Sequence, residues 1–569
     1  MIKFLSNSSR SYNILLIIII AAAIFYFWNL GQHDVATDEA TYMVRGIGML
    51  DFNSGILQPT PLEWVERTPW WMYLSFHDHP PLVFLMERIF FGIFGEDVLV
   101  GRIPPLLAGL ASILFVFLIA ERIFSRKAGM LSALIFAFTT NHVWISRIAL
   151  QESLVIALML AALYVFLLAL DDKRKLIHAG VLLGFAFLAK YTAVILIPIF
   201  LTVLLLRTRR YFVSREFLIG VLLFFVVVSP VVIYNVGLYQ RFGHFDFQFS
   251  YIFGQDVEGW EYAPGKEAAG SLGERFKNYA PNLLKLNSPL LLLLFIGGFL
   301  YSLFAAVKKD SRQLLLLIFF LWFAASMLVI GPSLRFLSML TPWLAIFAAL
   351  ALVWVGERMF QIKPRLVTAF FAAVIIIEAA YAFNSVIALT PIGKIPWTYA
   401  GVRSVNDNWG YNQLEEFLEK EFGHKRPGYV ASFQYPVIAE ILQERVSRDE
   451  REGRPKEYAA FVYNGNMAMP AQLWIFLKRL TYHGWPVVDT ETYKRVLQEN
   501  GDDFFKRLGV EKLYFINTAE GVVLRTPMTR PLTEDANNFE KVLQQKGIPA
   551  KEIKNLRGET AFRVYEFAP

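Results

Sequence analysis

The sequence contains no cysteine and few charged residues, and both shortages restrict what the chain can be. Without cysteine, no disulfide, thiolate metal site or thiol nucleophile can form among its 569 residues. Charged residues make up 18% of the chain and hydrophobic residues 55%, a balance that soluble domains rarely reach. The composition therefore indicates a membrane protein whose parts outside the bilayer fold by packing alone.

The sequence also lacks the concentrated basic patch that nucleic-acid binding requires. The net charge is +7, but the basic residues stand in short clusters between apolar runs, where they are typical of topology signals. We therefore expect membrane lipids, and no nucleic acid, around this chain.

Long apolar runs recur through the first two thirds of the chain. A helix of about 20 apolar residues crosses the hydrocarbon core, and eight runs meet this length clearly, while three more are shorter or share boundaries. We predict about eleven transmembrane helices. The first run has no small-residue cleavage site behind it, so we expect it to be retained as a span. The clear runs cover residues 14–30, 98–120, 148–170, 217–236, 289–307, 314–330, 336–355 and 366–384, and the others 128–143 and two halves of 176–206.

The sidedness of these spans follows from the basic loops, because short loops rich in Lys and Arg stay cytoplasmic. Every second loop is of this kind, which predicts a multi-pass protein of the plasma (inner) membrane with a cytoplasmic N-terminus. We therefore expect a transmembrane domain over residues 1–386, with outer loops at 31–97 and 237–287, and an extracytoplasmic mixed α/β domain over residues 387–569. In that domain periodicity predicts helices at 413–422 and 492–507 and strands at 429–433, 512–516 and 561–567.

Two adjacent carboxylates, Asp38 and Glu39, follow the first span in the segment VATDEATYMVRGIGML. Two acids at a membrane face suit base or metal chemistry, and Tyr42 lies one turn further on. The alternative is structural, since Thr37 or Asp38 is also a suitable N-cap for a surface helix.

A second cluster, His77, Asp78 and His79, precedes Pro80 and Pro81, which are typical of a helix start. Imidazole and carboxylate side chains bind divalent cations, although consecutive residues seldom all reach one ion and a second loop normally contributes a ligand. We take Asp78, His79 and His244 as the candidate metal ligands.

Ionisable residues also stand at the outer ends of later spans. Arg147 and Glu152 lie between the third and fourth spans, Lys190 interrupts an apolar segment, and Arg335 occupies the same outer level. Charged groups at such positions usually face a cavity, so the three cations could hold a lipid phosphate. Lys190 could instead extend from a short loop to the lipid headgroups.

Taken together, these residues resemble the C-type membrane glycosyltransferases, specifically the protein O-mannosyltransferases and the bacterial aminoarabinose transferases that modify lipid A (glycosyltransferase family 39-like). The likeness covers roughly the first 390 residues and lies in both the type and the order of the motifs. One departure is Glu152, where the family more often has Asp. The motifs are Asp38-Glu39, the HPPL segment from His79, Arg102-Ile103-Pro104, Arg147 through Glu152, Lys190, and Arg335-Phe336 with Pro342.

The resemblance implies an all-α polytopic membrane domain that transfers a hexosyl or pentosyl group from a polyprenyl-phosphate donor to a hydroxyl or similar group of a glycan, lipid or protein acceptor on the outer face. An Asp general base and inversion at the anomeric carbon are expected. A divalent ion is left open as a cofactor. The implied residues are Asp38, Glu39 and Glu152 for catalysis, Lys190, Arg147 and Arg335 for the donor phosphate, and Tyr42, His79 and Arg102 for substrate binding.

Two other functions share this topology. A secondary transporter or flippase would use Lys190 and Glu152 as coupling groups, but such groups belong near mid-span, and the sequence shows no repeat between its halves. An oligosaccharide ligase or polymerase differs from a monosaccharide transferase only in the length of its donor.

Overall fold

The computed structural model describes residues 8–36, 38–50, 79–255, 270–360, 364–405, 407–430, 433, 436–525 and 530–569. The chain forms two compact units. The first contains residues up to Leu30 and, within the described ranges, those from 79 to Ser404, and the second contains Gly31–Leu50 together with Val405–Pro569. The units thus divide after Ser404, and the start of the first predicted outer loop groups with the C-terminal residues.

The first unit is helical. Its main helices are Ser8–Phe27, Leu82–Phe94, Val98–Ile123, Arg126–Phe138, Thr140–Ser146, Gln151–Ala169, Lys175–Ala189, Leu196–Arg207, Arg215–Phe242, Phe247–Ile252, Leu272–Leu286, Pro289–Val307, Ser311–Ile330, Leu334–Leu337, Thr341–Phe360 and Pro364–Ala382. Short 3₁₀ turns occur at Tyr191–Ile195, Arg209–Val213 and Ser338–Leu340, and a π-helical turn follows at Phe383–Ile387.

Seven helices of the described chain are long and apolar enough to cross a membrane, and the bent pair Arg126–Phe138 and Thr140–Ser146 makes an eighth if it is one span. The pair is bent by 63°. Three shorter apolar helices occupy the other runs predicted to span. The protein is therefore a multi-pass membrane protein, while the count of eleven spans stays a prediction.

The packing of the membrane unit separates central from peripheral helices. The continuous helical span Leu334–Arg358, which includes the 3₁₀ turn Ser338–Leu340, is 83% buried along its most apolar stretch, and Gln151–Ala169 is 72% buried. Pro289–Val307 is only 17% buried and presents apolar side chains outward. Glycine permits close helix contacts, because a Cβ on Gly298 would lie 1.8 Å from the Phe347 carbonyl oxygen and one on Gly180 would lie 2.2 Å from that of Gly220.

The second unit contains a five-stranded sheet with strand order β4-β3-β5-β7-β6 and a separate two-stranded sheet formed by β1 and β2. β3 pairs in parallel with β4 and β5, and β7 pairs antiparallel with β5 and β6. The strands are β1 (Arg426–Pro427), β2 (Lys456–Glu457), β3 (Ala459–Tyr463), β4 (Val487–Asp489), β5 (Lys512–Thr518), β6 (Ala550–Lys554) and β7 (Thr560–Phe567).

Helices accompany these strands along the second unit. They are Glu39–Gly48, Tyr411–Phe422, Pro436–Arg451, Met469–Ala471, Lys478–His483, Thr490–Asn500, Phe504–Arg507 and Arg530–Gln545, with a 3₁₀ turn whose residues are Gly401–Val405 at the unit boundary and a π turn at Gln472–Leu477. A hydrophobic core with Val462, Leu513 and Phe515 at its centre lies beneath the sheet.

Most secondary structure predicted in this unit is found, with two differences. Gly501 adopts a φ of 91°, a conformation that ends a helix, so the helix predicted over 492–507 is two helices. The strand predicted at 429–433 is wrong at Tyr429 and Val430, because the parallel pairing lies at Arg426–Pro427 and ends with the Gly428 amide bonded to the Glu457 carbonyl at 2.8 Å.

Candidate active site

Two cations of the membrane unit, Lys190 and Arg335, meet at the carboxylate of Glu152. We call these three residues the Glu152 cluster. Glu152 lies in the first turn of the helix Gln151–Ala169 and is fully buried. Lys190 donates a hydrogen bond to its Oε1 atom, and Arg335 Nε lies 3.6 Å from the same oxygen. Two cations thus share one carboxylate at the end of a span.

Local chain breaks bring the two cations to this position. The helix before Lys190 ends at Ala189, and Lys190 itself is extended (φ −162°, ψ 137°) before a 3₁₀ turn begins at Tyr191. This break directs the Lys190 side chain inward, where 7% of it is exposed and its ammonium lies 4.9 Å from the Phe336 ring centroid. The alternative in which Lys190 reaches out to the lipid headgroups is therefore wrong.

Arg335 belongs to the one-turn helix Leu334–Leu337, which is fixed by its N-cap. Ser333 supplies the cap, because its Oγ atom accepts a hydrogen bond from the Phe336 amide at 3.4 Å. Arg335 keeps 20% of its side chain exposed. The cluster therefore combines a fully buried carboxylate with an arginine side chain that is partly exposed.

Arg147 has a different environment from the one predicted. Its guanidinium donates to the backbone carbonyls of Tyr26, Trp28 at 2.8 Å and Asn29 at 3.1 Å. The last carbonyls of a helix have no partner within it, and here Arg147 bonds the Tyr26 carbonyl in the last turn of Ser8–Phe27 and the carbonyls of Trp28 and Asn29 just beyond it. In the described chain these carbonyls are its hydrogen-bond acceptors, so its geometry is that of a structural clamp.

Arg102 reinforces the same stretch of chain. Its Nη1 atom donates to the Leu30 carbonyl at 2.8 Å, and only 2% of the residue is exposed. The residue that was expected to bind substrate therefore helps to hold the exit of the first span.

The acidic motif belongs to the second unit, where its two carboxylates differ. Glu39 is fully buried, and its Oε2 atom accepts a hydrogen bond from the Ala36 amide at 3.1 Å. Asp38 stands at the N-cap position of the helix Glu39–Gly48, but its side chain accepts no capping hydrogen bond and is only partly buried. Asp38 therefore does not cap this helix through its side chain, and the other candidate cap, Thr37, lies outside the described residues. Tyr42, on the same helix, is 1% exposed.

Sequence reasoning missed Asp34, a fully buried carboxylate of the second unit. It accepts hydrogen bonds from the backbone amides of residues 409–412 at 2.6–3.2 Å. These are amides at the start of the helix Tyr411–Phe422, where helix donors have no internal partner. Burial raises the pKa of Asp34 to about 6, although the backbone hydrogen bonds lower it. No local pattern signals this role, because the partners lie far along the chain.

The predicted metal ligands do not form a site among the described residues. Asp78 lies outside them. His244 makes a 2.8 Å contact between its Nδ1 atom and the Phe245 carbonyl, and His79 is half-buried. Across the described ranges no three His, Asp or Glu side chains converge as metal ligands would. A metal site at Asp78, His79 and His244 stays a prediction.

Matches to known proteins cover parts of the sequence and nearly the whole fold. Residues 78–234 match the family described as Dolichyl-phosphate-mannose-protein mannosyltransferase. Two Bacillus subtilis (strain 168) proteins that are provisionally named mannosyltransferases, YycA and YkcB, are 27% identical over 217 residues and 24% identical over 298 residues. These matches cover 38% and 47% of this chain but only 30% and 39% of the relatives' own length.

Solved structures of ArnT from Cupriavidus metallidurans extend the likeness to both units. The apo structure aligns over 98% of both chains with a TM-score of 0.53 and 14% identity, and the structure bound to undecaprenyl phosphate aligns over 97% of both with a TM-score of 0.51 and 13% identity. The chain therefore shares the fold of ArnT. Together with the family match over residues 78–234, this fold confirms the family resemblance expected from the motifs.

Proposed function

We propose that this protein transfers a sugar from a polyprenyl-phosphate donor to an acceptor on the outer face of the plasma membrane. The observation that carries the proposal is the Glu152 cluster. Lys190 and Arg335, from separate helical segments, converge on one buried carboxylate. Burying charge at the end of a membrane span is costly, and such groups usually serve a ligand.

A lipid phosphate is the ligand class that fits this cluster. An ammonium and a guanidinium are the two side chains that bind phosphate oxygens, the guanidinium through paired donors. Glu152 offsets one of the two cations, so the three side chains together carry one positive charge. The fold is shared with ArnT, which was crystallised with undecaprenyl phosphate, and this supports a polyprenyl carrier in the present chain.

The proposed reaction is a single displacement. The acceptor oxygen attacks the anomeric carbon while the bond from that carbon to the phosphate oxygen breaks, and the acceptor proton passes to Asp38 as general base. The polyprenyl phosphate leaves with added negative charge, which Lys190 and Arg335 stabilise. Attack opposite the leaving group inverts the anomeric carbon.

The contacts of the other predicted site residues support different roles for them, either in positioning the chain or in the reaction. Arg147 and Arg102 hold backbone carbonyls at the exit of the first span, and Glu39 bonds the Ala36 amide, so we assign these three to positioning. We retain Asp38 as the base because it is only partly buried, at the start of the helix Glu39–Gly48. Tyr42 and His79 remain proposed substrate contacts.

A transporter is the weaker proposal because of where the charges lie. Glu152 is the second residue of its helix, and Lys190 follows the last residue of another. Coupling groups of secondary transporters lie near the bilayer midplane, whereas both groups here stand at helix ends.

The direct test is to compare products in cells. Lipid and glycan extracts from cells with the gene, without it, and with the Asp38→Asn variant are compared by mass spectrometry. We expect one glycosylated product to be present only with the wild-type chain and its unglycosylated form to accumulate otherwise. Asp502→Asn, an exposed aspartate of the second unit, is the matched control. Identical profiles in all four strains would refute the proposal.

A further inference from the structure

The helix break that presents Lys190 is held by a contact to the second outer loop. Lys190 is extended between the helix Lys175–Ala189 and the turn Tyr191–Ile195. The Lys190 backbone keeps local hydrogen bonds, from its amide to the Ala186 carbonyl at 3.0 Å and from the Ala193 amide to its carbonyl at 3.1 Å, so the break changes the direction of the chain and the side chains packed beside it fix that direction. The next residue, Tyr191, provides that packing.

Tyr191 is held by contacts of its ring and of its hydroxyl. Its ring centroid lies 5.0 Å from that of Phe187 and 5.4 Å from that of Phe249. Its hydroxyl donates a long hydrogen bond of 3.4 Å to the Asp246 carboxylate. The residue beside Lys190 therefore contacts both the preceding helix, through Phe187, and the loop, through Phe249 and Asp246.

Asp246 is itself rigidly held. It is fully buried, and it exchanges two hydrogen bonds with Asn235 of the helix Arg215–Phe242: Asn235 Nδ2 donates to Oδ2 at 3.0 Å, and the Asp246 amide donates to Asn235 Oδ1 at 2.9 Å. Its Oδ1 atom also accepts from the amides of Gln248 at 3.0 Å and Phe249 at 2.8 Å.

The loop around Asp246 is closed by its own hydrogen bonds. The Phe245 amide donates to Gln255 Oε1 at 2.8 Å, and Ser250 Oγ donates to the Phe245 carbonyl at 2.8 Å. The segment 245–255 is thus a bonded unit whose carboxylate reaches both a span, through Asn235, and the Lys190 break, through Tyr191.

We propose that Asp246 is a positioning residue for the donor-phosphate site, because it fixes Tyr191 and thereby the direction of the Lys190 ammonium. This inference rests on the proposed function and adds to it a residue that never touches the donor. A carboxylate that only stabilised the loop would affect folding, whereas one that orients Lys190 also affects phosphate binding.

The test measures the affinity of the purified full chain for undecaprenyl phosphate by native mass spectrometry, with neutral undecaprenol as the reference lipid. Tyr191→Phe removes only the hydroxyl and Asp246→Ala removes the carboxylate. We expect Tyr191→Phe to weaken binding of the phosphate lipid about threefold and Asp246→Ala about tenfold, with undecaprenol binding unchanged. Asp246→Asn, which can still bond Asn235, should recover part of the loss.

The matched control is Tyr239→Phe. Tyr239 stacks on Phe245 of the same loop at 4.9 Å, and its loss of a hydroxyl should leave the affinity unchanged. The positioning role of Asp246 would be refuted if Tyr191→Phe left the affinity unchanged, or if both tyrosine variants lost affinity equally. The proposed function would survive that result as long as Lys190→Ala still weakens binding. If Lys190→Ala has no effect either, the proposed function fails with it.

Discussion

Lys190 donates a hydrogen bond to Glu152 across two helical segments, so that an ammonium and a carboxylate are paired at the end of a membrane span. Arg335 lies 3.6 Å from the same carboxylate oxygen. Glu152 is fully buried, so its carboxylate needs counter-ions, and Lys190 and Arg335 supply them. The carboxylate in turn holds both cations in place.

The first prediction concerns this charge balance. Glu152→Gln leaves both cations without their buried counter-ion, and we expect it to reduce the free energy of unfolding by about 3 kcal/mol. Replacing the Lys190 partner as well, in Glu152→Gln with Lys190→Met, should recover at least half of that loss. Thermal unfolding of the four proteins of this double-mutant cycle measures the coupling. Additive losses would show that the pair is not coupled.

The second prediction separates the two acids of the motif. Asp38→Asn should reduce sugar transfer by at least about a hundredfold, the usual contribution of a general base, without lowering the melting temperature. Glu39→Gln should lower the melting temperature, because its carboxylate bonds the Ala36 amide inside the second unit. Mass spectrometry of the products measures sugar transfer by both variants, and thermal unfolding measures their melting temperatures. Full transfer by Asp38→Asn would remove Asp38 from the mechanism.

The third prediction treats Arg147 as a clamp. Arg147→Met leaves the carbonyls of Tyr26, Trp28 and Asn29 without their donor, which should cost about 2–3 kcal/mol of stability. Lys173→Met, a half-exposed cation of a predicted cytoplasmic loop, is the control and should cost less than about 0.5 kcal/mol. Thermal unfolding in detergent compares the two. Equal stability of the Arg147 variant and the wild type would exclude the clamp.

The fourth prediction is a pH dependence from Asp34. Burial raises its pKa to about 6 from an ordinary 3.8, so the folded chain binds this proton more tightly than the unfolded chain does. The contribution of Asp34 to the free energy of unfolding therefore rises as the pH falls through about 6, and it is lost when the pH rises above that value. Between about pH 7.5 and pH 5 the wild type should gain about 1.4 kcal/mol relative to Asp34→Asn. Parallel curves of unfolding free energy against pH for the two proteins would contradict this shift.

The sequence predicts the membrane unit well because its signals are local. Apolar runs of span length and the ionisable residues at their ends can be counted along the chain. Of the predicted phosphate site of Lys190, Arg147 and Arg335, the structure brings Lys190 and Arg335 together, at the carboxylate of Glu152. The Lys190 break is also visible in sequence as a charged residue inside an apolar run.

The remaining features depend on contacts that no local pattern carries. Asp34 bonds the amides of residues 409–412, and any polar side chain near the first span could have done so. Arg147 was predicted to bind phosphate because an arginine at a span end suits an anion, but backbone carbonyls satisfy its donors equally well. Sequence shows the charge of a side chain and leaves its partner undetermined.

The most direct test of the account is the binding of undecaprenyl phosphate to the purified full chain, measured by titration in native mass spectrometry with undecaprenol as reference. We predict that Lys190→Ala weakens binding of the phosphate lipid at least about tenfold. The control Lys175→Ala, which replaces an exposed lysine at the start of the helix that ends before Lys190, should leave the affinity unchanged. Equal affinities for the phosphate lipid in wild type and Lys190→Ala would contradict the donor-phosphate site on which the proposed function depends.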